Sequence, residues 1–86
     1  MTAFESAIRK MRSAYANASA PAQAYMRKFG MIADMTPTEA MALVNAGWSV
    51  KPQCVGTARK KLRSGDSRPF GVWLEPRDSW RIAGAK

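Results

Sequence analysis

Apolar residues recur at helical spacing through most of the chain, and near its end the pattern changes to alternation. Phe4, Ile8, Met11 and Tyr15 follow one another at spacings of four, three and four, so they share one stripe while Arg9, Lys10, Arg12 and Ser13 face elsewhere. Thr2-Ala3-Phe4-Glu5 ahead of that stripe reads as a capping box, in which hydroxyl and carboxylate each satisfy an unpaired backbone N–H. A first helix is expected over residues 2–18. Ser19-Ala20-Pro21 then stops and restarts the chain, because proline lacks the N–H that a helix interior needs yet fits its first turn. A second helix over 21–29 takes Tyr25, Met26 and Phe29 as its buried side and Gly30 as its cap. Residues 31–35, apolar and set between two breaks, read as a short strand.

Thr36-Pro37-Thr38-Glu39 is the sharpest local signal: an N-cap threonine, a proline in the first helical position and a glutamate three residues after the cap. The third helix that starts there buries Ala40, Leu43 and Val44 and closes at Asn45-Ala46-Gly47. Pro52 opens a fourth helix over 52–64, with Val55, Ala58 and Leu62 turned inward and Gln53, Gly56, Thr57, Lys60 and Ser64 outward. After Ser64-Gly65-Asp66, the residues Phe70, Val72 and Leu74 alternate with Gly71 and Trp73. Glu75-Pro76-Arg77-Asp78-Ser79 breaks the run before Trp80-Arg81-Ile82-Ala83, which predicts a β-hairpin over 70–83. The fold class expected is mainly α with a C-terminal β-hairpin, without internal repeats.

Composition narrows what such a chain does. Its 86 residues, 47% of them hydrophobic, suffice for one small core, and domains of this size often dimerise to hide more surface. The single cysteine, Cys54, has neither a disulfide partner nor a histidine with which to hold zinc, so no metal and no cofactor are expected. The opening residues carry an acid and lack a secretion-signal layout, and no run of eighteen apolar residues occurs, so a cytoplasmic protein without a membrane partner is expected. The absence of histidine, the scattered acids and the lack of a glycine-rich phosphate loop argue against an enzyme. Cys54, near a helix start beside Lys51, reads as a half-buried thiol, with redox sensing as the alternative. Fourteen basic residues against six acidic ones give a net charge of +8 and call for a polyanionic partner. A phosphate backbone is the first candidate and an acidic protein surface the second.

From Thr36 onward the order is helix, glycine-containing turn, basic helix and aromatic hairpin, which resembles the winged helix-turn-helix family. The resemblance spans residues 36–86 with the helix before them, and it rests on order and spacing. It divides the chain into an N-terminal amphipathic helix, 1–18, and a winged domain, 19–86. In that family the second helix of the motif enters the major groove. The resemblance therefore implies double-stranded DNA binding by helix 52–64 with hairpin 70–83 as wing, in a transcriptional repressor or autoregulator of bacterial, phage or plasmid type. Gln53, Gly56 and Thr57 are the expected base readers. Lys51, Arg59, Lys60, Lys61 and Arg63, with no acid among residues 51–65, are expected on phosphates, together with Thr36, Thr38 and Arg68. Arg77 at the wing tip and Arg81 on its second strand would add backbone or minor-groove contacts, although Glu75 and Asp78 flank Arg77 and offer it partners across the turn. Trp48 and Trp80 read as core anchors and Trp73 as the aromatic most open to solvent. Phe4, Ile8, Met11 and Tyr15 either pack on their own domain or form a homodimer interface that reads palindromic half-sites. The competing functional reading is a small basic inhibitor or interaction protein that covers an acidic surface of a protein or nucleoprotein complex; RNA binding is less favoured because no known RNA motif is present.

Overall fold

The Thr2 hydroxyl accepts the Glu5 N–H at 3.1 Å, and helix α1 (Ala3–Ala16) runs on from it. The Glu5 carboxylate accepts the Thr2 hydroxyl at 3.2 Å rather than reaching back to the backbone, so half of the expected capping box forms. The computed structural model describes residues 1–76. Ser19 caps α2 (Ala20–Phe29) with Pro21 in its first turn, and β1 (Met31–Met35) follows. Thr36 caps α3 (Pro37–Asn45) in a complete capping box, α4 (Pro52–Ser64) comes next, and β2 (Phe70–Leu74) ends the described elements. The architecture is mainly helical with a small antiparallel sheet of two strands, β1 and β2.

Alternation along the strands sets the layers. Met31, Ala33 and Met35 are buried while Ile32 and Asp34 are exposed, and Val72 and Leu74 are buried on the same inner face. Against that face lie Ala7 and Met11 of α1, Ala40 and Leu43 of α3, and Ala58 of α4. Met11, Met31 and Met35 are among the largest fully buried side chains, and unbranched thioethers can fill the irregular space between three helices and a ribbon. A part-buried ion pair fastens α1 to α3. Glu39 accepts Lys10 Nζ at 2.7 Å, the Ser6 hydroxyl, and the Thr36 backbone N–H at 2.7 Å, and Lys10 and Ser6 lie one turn apart on α1.

The burial expected along α2 needs correction, while β2 and α1 add contacts that the sequence does not show. The described partner of β2 is β1, with Met31 opposite Leu74 and Met35 opposite Phe70. The strand expected to complete the hairpin, with Arg77 and Arg81, lies outside the described residues. The other edge of β2 is held by the chain entering α4: Val50 bridges Leu74, Lys51 N–H donates to the Trp73 carbonyl at 3.3 Å, and Glu75 N–H donates to Ser49 at 3.2 Å. Helix α2 has no buried residue, and Tyr25 and Phe29 stand 54% and 50% exposed with ring centroids 4.9 Å apart. The reason is placement: α2 meets the ribbon beside Ile32 and Trp73, on the face away from Val72 and Leu74. Gly30 makes that junction, with φ of +117°; a Cβ there would stand 2.4 Å from the Leu74 carbonyl oxygen. The α1 stripe packs on its own domain. Met11 is fully buried, Phe4, Ile8 and Tyr15 are half-buried against the core, and the Phe4 ring meets Trp48 edge-on at 6.2 Å. Met11 is thus inaccessible to a second copy.

Candidate nucleic-acid interface

The path into α4 is fixed on both sides. At the end of α3 the Gly47 N–H donates to the Val44 carbonyl and the Trp48 N–H to the Leu43 carbonyl, both at 3.0 Å, the paired bonds that close a helix over a glycine of positive φ. Trp48 then packs half-buried against the core, as its place after the turn predicts. Pro52 starts α4, and no side chain caps its first turn.

The rotation of α4 differs from the sequence expectation. Ala58 is buried and Val55 half-buried, but Leu62 is 42% exposed, and Cys54 and Lys61 turn toward the body of the protein in its place. Cys54 Sγ accepts the Trp73 N–H at 3.4 Å, which fits the half-buried thiol. Lys61 Nζ lies 3.0 Å from Asp66 Oδ2 and 5.6 Å from the centre of the Phe70 ring.

The expected base readers share the outer face. Gln53, Gly56, Thr57 and Lys60 are all exposed, one turn following the next. Nothing lies within 4 Å of where a Gly56 Cβ would stand, so the backbone there is open to close approach. The Thr57 hydroxyl donates to the Gln53 carbonyl at 2.8 Å, so its hydroxyl proton is already engaged within the helix. Arg59 and Arg63 flank this face and are exposed; with Lys60, they form no ion pair among the described residues.

The other expected phosphate contacts divide. Lys51 is half-buried with Nζ 5.3 Å from the Trp73 ring centre. Thr36 is occupied as a cap: its hydroxyl accepts the Glu39 N–H at 3.3 Å, and the Glu39 carboxylate sits on its backbone N–H. The anion expected at the start of α3 is thus supplied by the chain itself, and Thr38 alone of that pair is exposed. Lys61 and Arg68 converge on Asp66. Arg68 donates through Nε to Oδ1 and through Nη2 to Oδ2, each at 3.1 Å, while its backbone N–H also reaches Oδ1 at 2.9 Å. Asp66 therefore stays charged far below the usual carboxylate range, chiefly through the Arg68 guanidinium and backbone N–H and then Lys61.

Two features escaped the sequence reading. One is the role of Asp66 as a shared counterion, although an aspartate commonly binds the backbone N–H two residues on, and Asp66-Ser67-Arg68 has that form. The second is an apolar groove of about 210 Å³ between α2 and the outer face of the ribbon, lined by Tyr25, Met26, Gly30, Ile32 and Trp73 among others. Trp73, expected to be open, is half-buried there with its indole N–H enclosed and without an acceptor among the described residues. No helix among the described residues is long and apolar enough to cross a membrane. No protein-family model, curated protein or solved structure matches the chain.

Proposed function

We propose that the protein binds double-stranded DNA, laying the outer face of α4 in the major groove as a winged helix-turn-helix module does, and acts as a sequence-specific repressor or autoregulator. One observation carries the reading: Arg59, Lys60 and Arg63 are exposed without ion pairs among the described residues, beside Gln53, Gly56 and Thr57 on the same helix. A helix kept merely soluble usually mixes charges to gain pairs three or four residues apart, and α4 contains no acid. In the proposed pose Gln53 pairs with adenine, the Thr57 methyl meets a thymine methyl, Gly56 lets the backbone approach, and the three cations hold phosphates. The compact α3–turn–α4 unit, braced by α1 on one side and β2 on the other, gives the rigid support that major-groove docking needs.

The test is selection from a random duplex pool at two salt concentrations, followed by sequencing. Enrichment of a palindromic site supports a dimeric sequence reader, and Lys60→Ala should then weaken binding to all duplexes while making the salt slope shallower by about 1. Salt-sensitive binding without enrichment would leave an architectural DNA binder. No binding at either salt would reject DNA and favour an acidic protein surface as the partner.

A further inference from the structure

The cation-rich end of α4 contains its own anion. Asp66 follows directly on the helix cap and lines, with Thr57, Lys60, Lys61 and Ser64, a groove of about 370 Å³ that continues the proposed reading face. Its side chain is 17% exposed, and each carboxylate oxygen is held: Oδ1 by Arg68 Nε and the Arg68 backbone N–H, Oδ2 by Arg68 Nη2 and Lys61 Nζ. A paired donor edge of guanidinium with an ammonium beside it is the arrangement proteins offer to a phosphodiester oxygen pair. Here those donors are turned on a carboxylate.

We propose that Asp66 is a built-in phosphate surrogate, which withdraws Lys61 and Arg68 from the DNA backbone and so limits how strongly, and with how steep a salt dependence, the protein binds duplex of any sequence. This rests on the DNA reading above. With Asp66 in place, the electrostatic contact at this end comes from Arg59, Lys60 and Arg63, and a phosphate entering the groove meets a like charge. Non-specific affinity is mostly phosphate contact, whereas the base readers Gln53, Gly56 and Thr57 lie toward the other end of α4. Holding two cations back therefore lowers binding to all duplexes alike and makes it less sensitive to salt, and the base readers supply a larger share of what affinity remains.

Asp66→Asn removes the charge and keeps the shape. Releasing two cations should steepen the plot of log affinity against log salt by between about 1 and 2. The variant should then lose up to about tenfold more affinity than the wild type between 50 and 200 mM salt, and bind random duplex more tightly at the lower salt. Lys61→Ala and Arg68→Ala in the wild-type background should leave the slope unchanged, while Lys60→Ala reduces it. Circular dichroism checks that each variant folds; if Asp66→Asn does not, the Lys61→Ala slope decides. An Asp66→Asn slope equal to or shallower than that of the wild type, or a Lys61→Ala slope reduced by about 1, would overturn the proposal while leaving DNA binding in place. A wild type that binds no duplex even at low salt would overturn both.

Discussion

Replacing Glu39 by glutamine tests the polar contact that joins α1 to the start of α3. The Glu39 side chain is 7% exposed, and burial alone would raise its pKa; the hydrogen bonds from Lys10, Ser6 and Thr36 outweigh that and hold it at about 2, against a usual 4.5. At ~1.4 kcal/mol for each tenfold change in acidity, this corresponds to roughly 3 kcal/mol of stability. The folded-state value is the lower one, so the contribution is complete above about pH 5 and drains away as the pH falls through 4.5 toward 2. Glu39→Gln should therefore lower stability at pH 7 by about 2–3 kcal/mol, a fall in Tm of roughly 10–20 °C for a domain of this size. Lys10, whose side chain is 40% exposed, can return to water in the variant, which keeps the loss from growing further. Urea titrations followed by tryptophan fluorescence at pH 7 and pH 3 would measure it. The gap between wild type and variant should shrink to about half at pH 3, and comparing the two proteins cancels the acid sensitivity that Asp66 adds to both. A gap that is the same at both pH values, or smaller than about 0.5 kcal/mol at pH 7, would refute the reasoning.

Two further substitutions address geometry. Gly30→Ala places a methyl group 2.4 Å from the Leu74 carbonyl oxygen and 2.7 Å from Trp73 Cζ2 at a φ of +117°, so it should destabilise by more than about 2 kcal/mol in chemical denaturation. Leu62→Ser should change stability by less than about 0.5–1 kcal/mol in the same assay, because the side chain stands in solvent; a loss of 2 kcal/mol or more would return Leu62 to the core position that its spacing suggests.

The parts of the fold legible in the sequence are those whose signals act within a few residues. Thr36, Pro37 and Glu39 announce α3 because a cap, a proline and a returning carboxylate satisfy the same helix end, and Gly47 announces its close for the same reason. Glu39 hides a longer-range role: nothing in its spacing from Thr36 reveals that Lys10 and Ser6 arrive from α1. The pairing of β1 with β2 is hidden for a related reason. Adjacent runs favour a hairpin, but the inner face of β2 buries Val72 and Leu74 beside Met31, Ala33 and Met35, a pairing across more than thirty residues set by a shared core. Tyr25 and Phe29 have the spacing of a buried face, yet spacing does not say whether another element comes to cover it.

The rotation of α4 shows how a spacing argument can misplace a stripe while keeping the proposed reading face. At ~100° per residue, Val55, Ala58 and Leu62 centre about 50° away from the face defined by Lys51, Cys54, Ala58 and Lys61, so both share Ala58 and differ in which neighbours join it. Hydropathy favours the first set, because leucine outranks lysine. Contacts favour the second: the Lys61 ammonium stands over the Phe70 ring and reaches Asp66, and Cys54 takes the Trp73 backbone N–H. Gln53, Gly56, Thr57 and Lys60 lie opposite Ala58 closely enough to stay in solvent under either rotation, so the expected readers keep their exposure. Lys61 sits at the margin, where 50° exchanges solvent for the Asp66 carboxylate. The rotation that removes Lys61 from the phosphate-facing set is thus the same one that brings Asp66 to the end of the reading face, and substitutions at Leu62 and Asp66 examine that single geometric fact from its two sides.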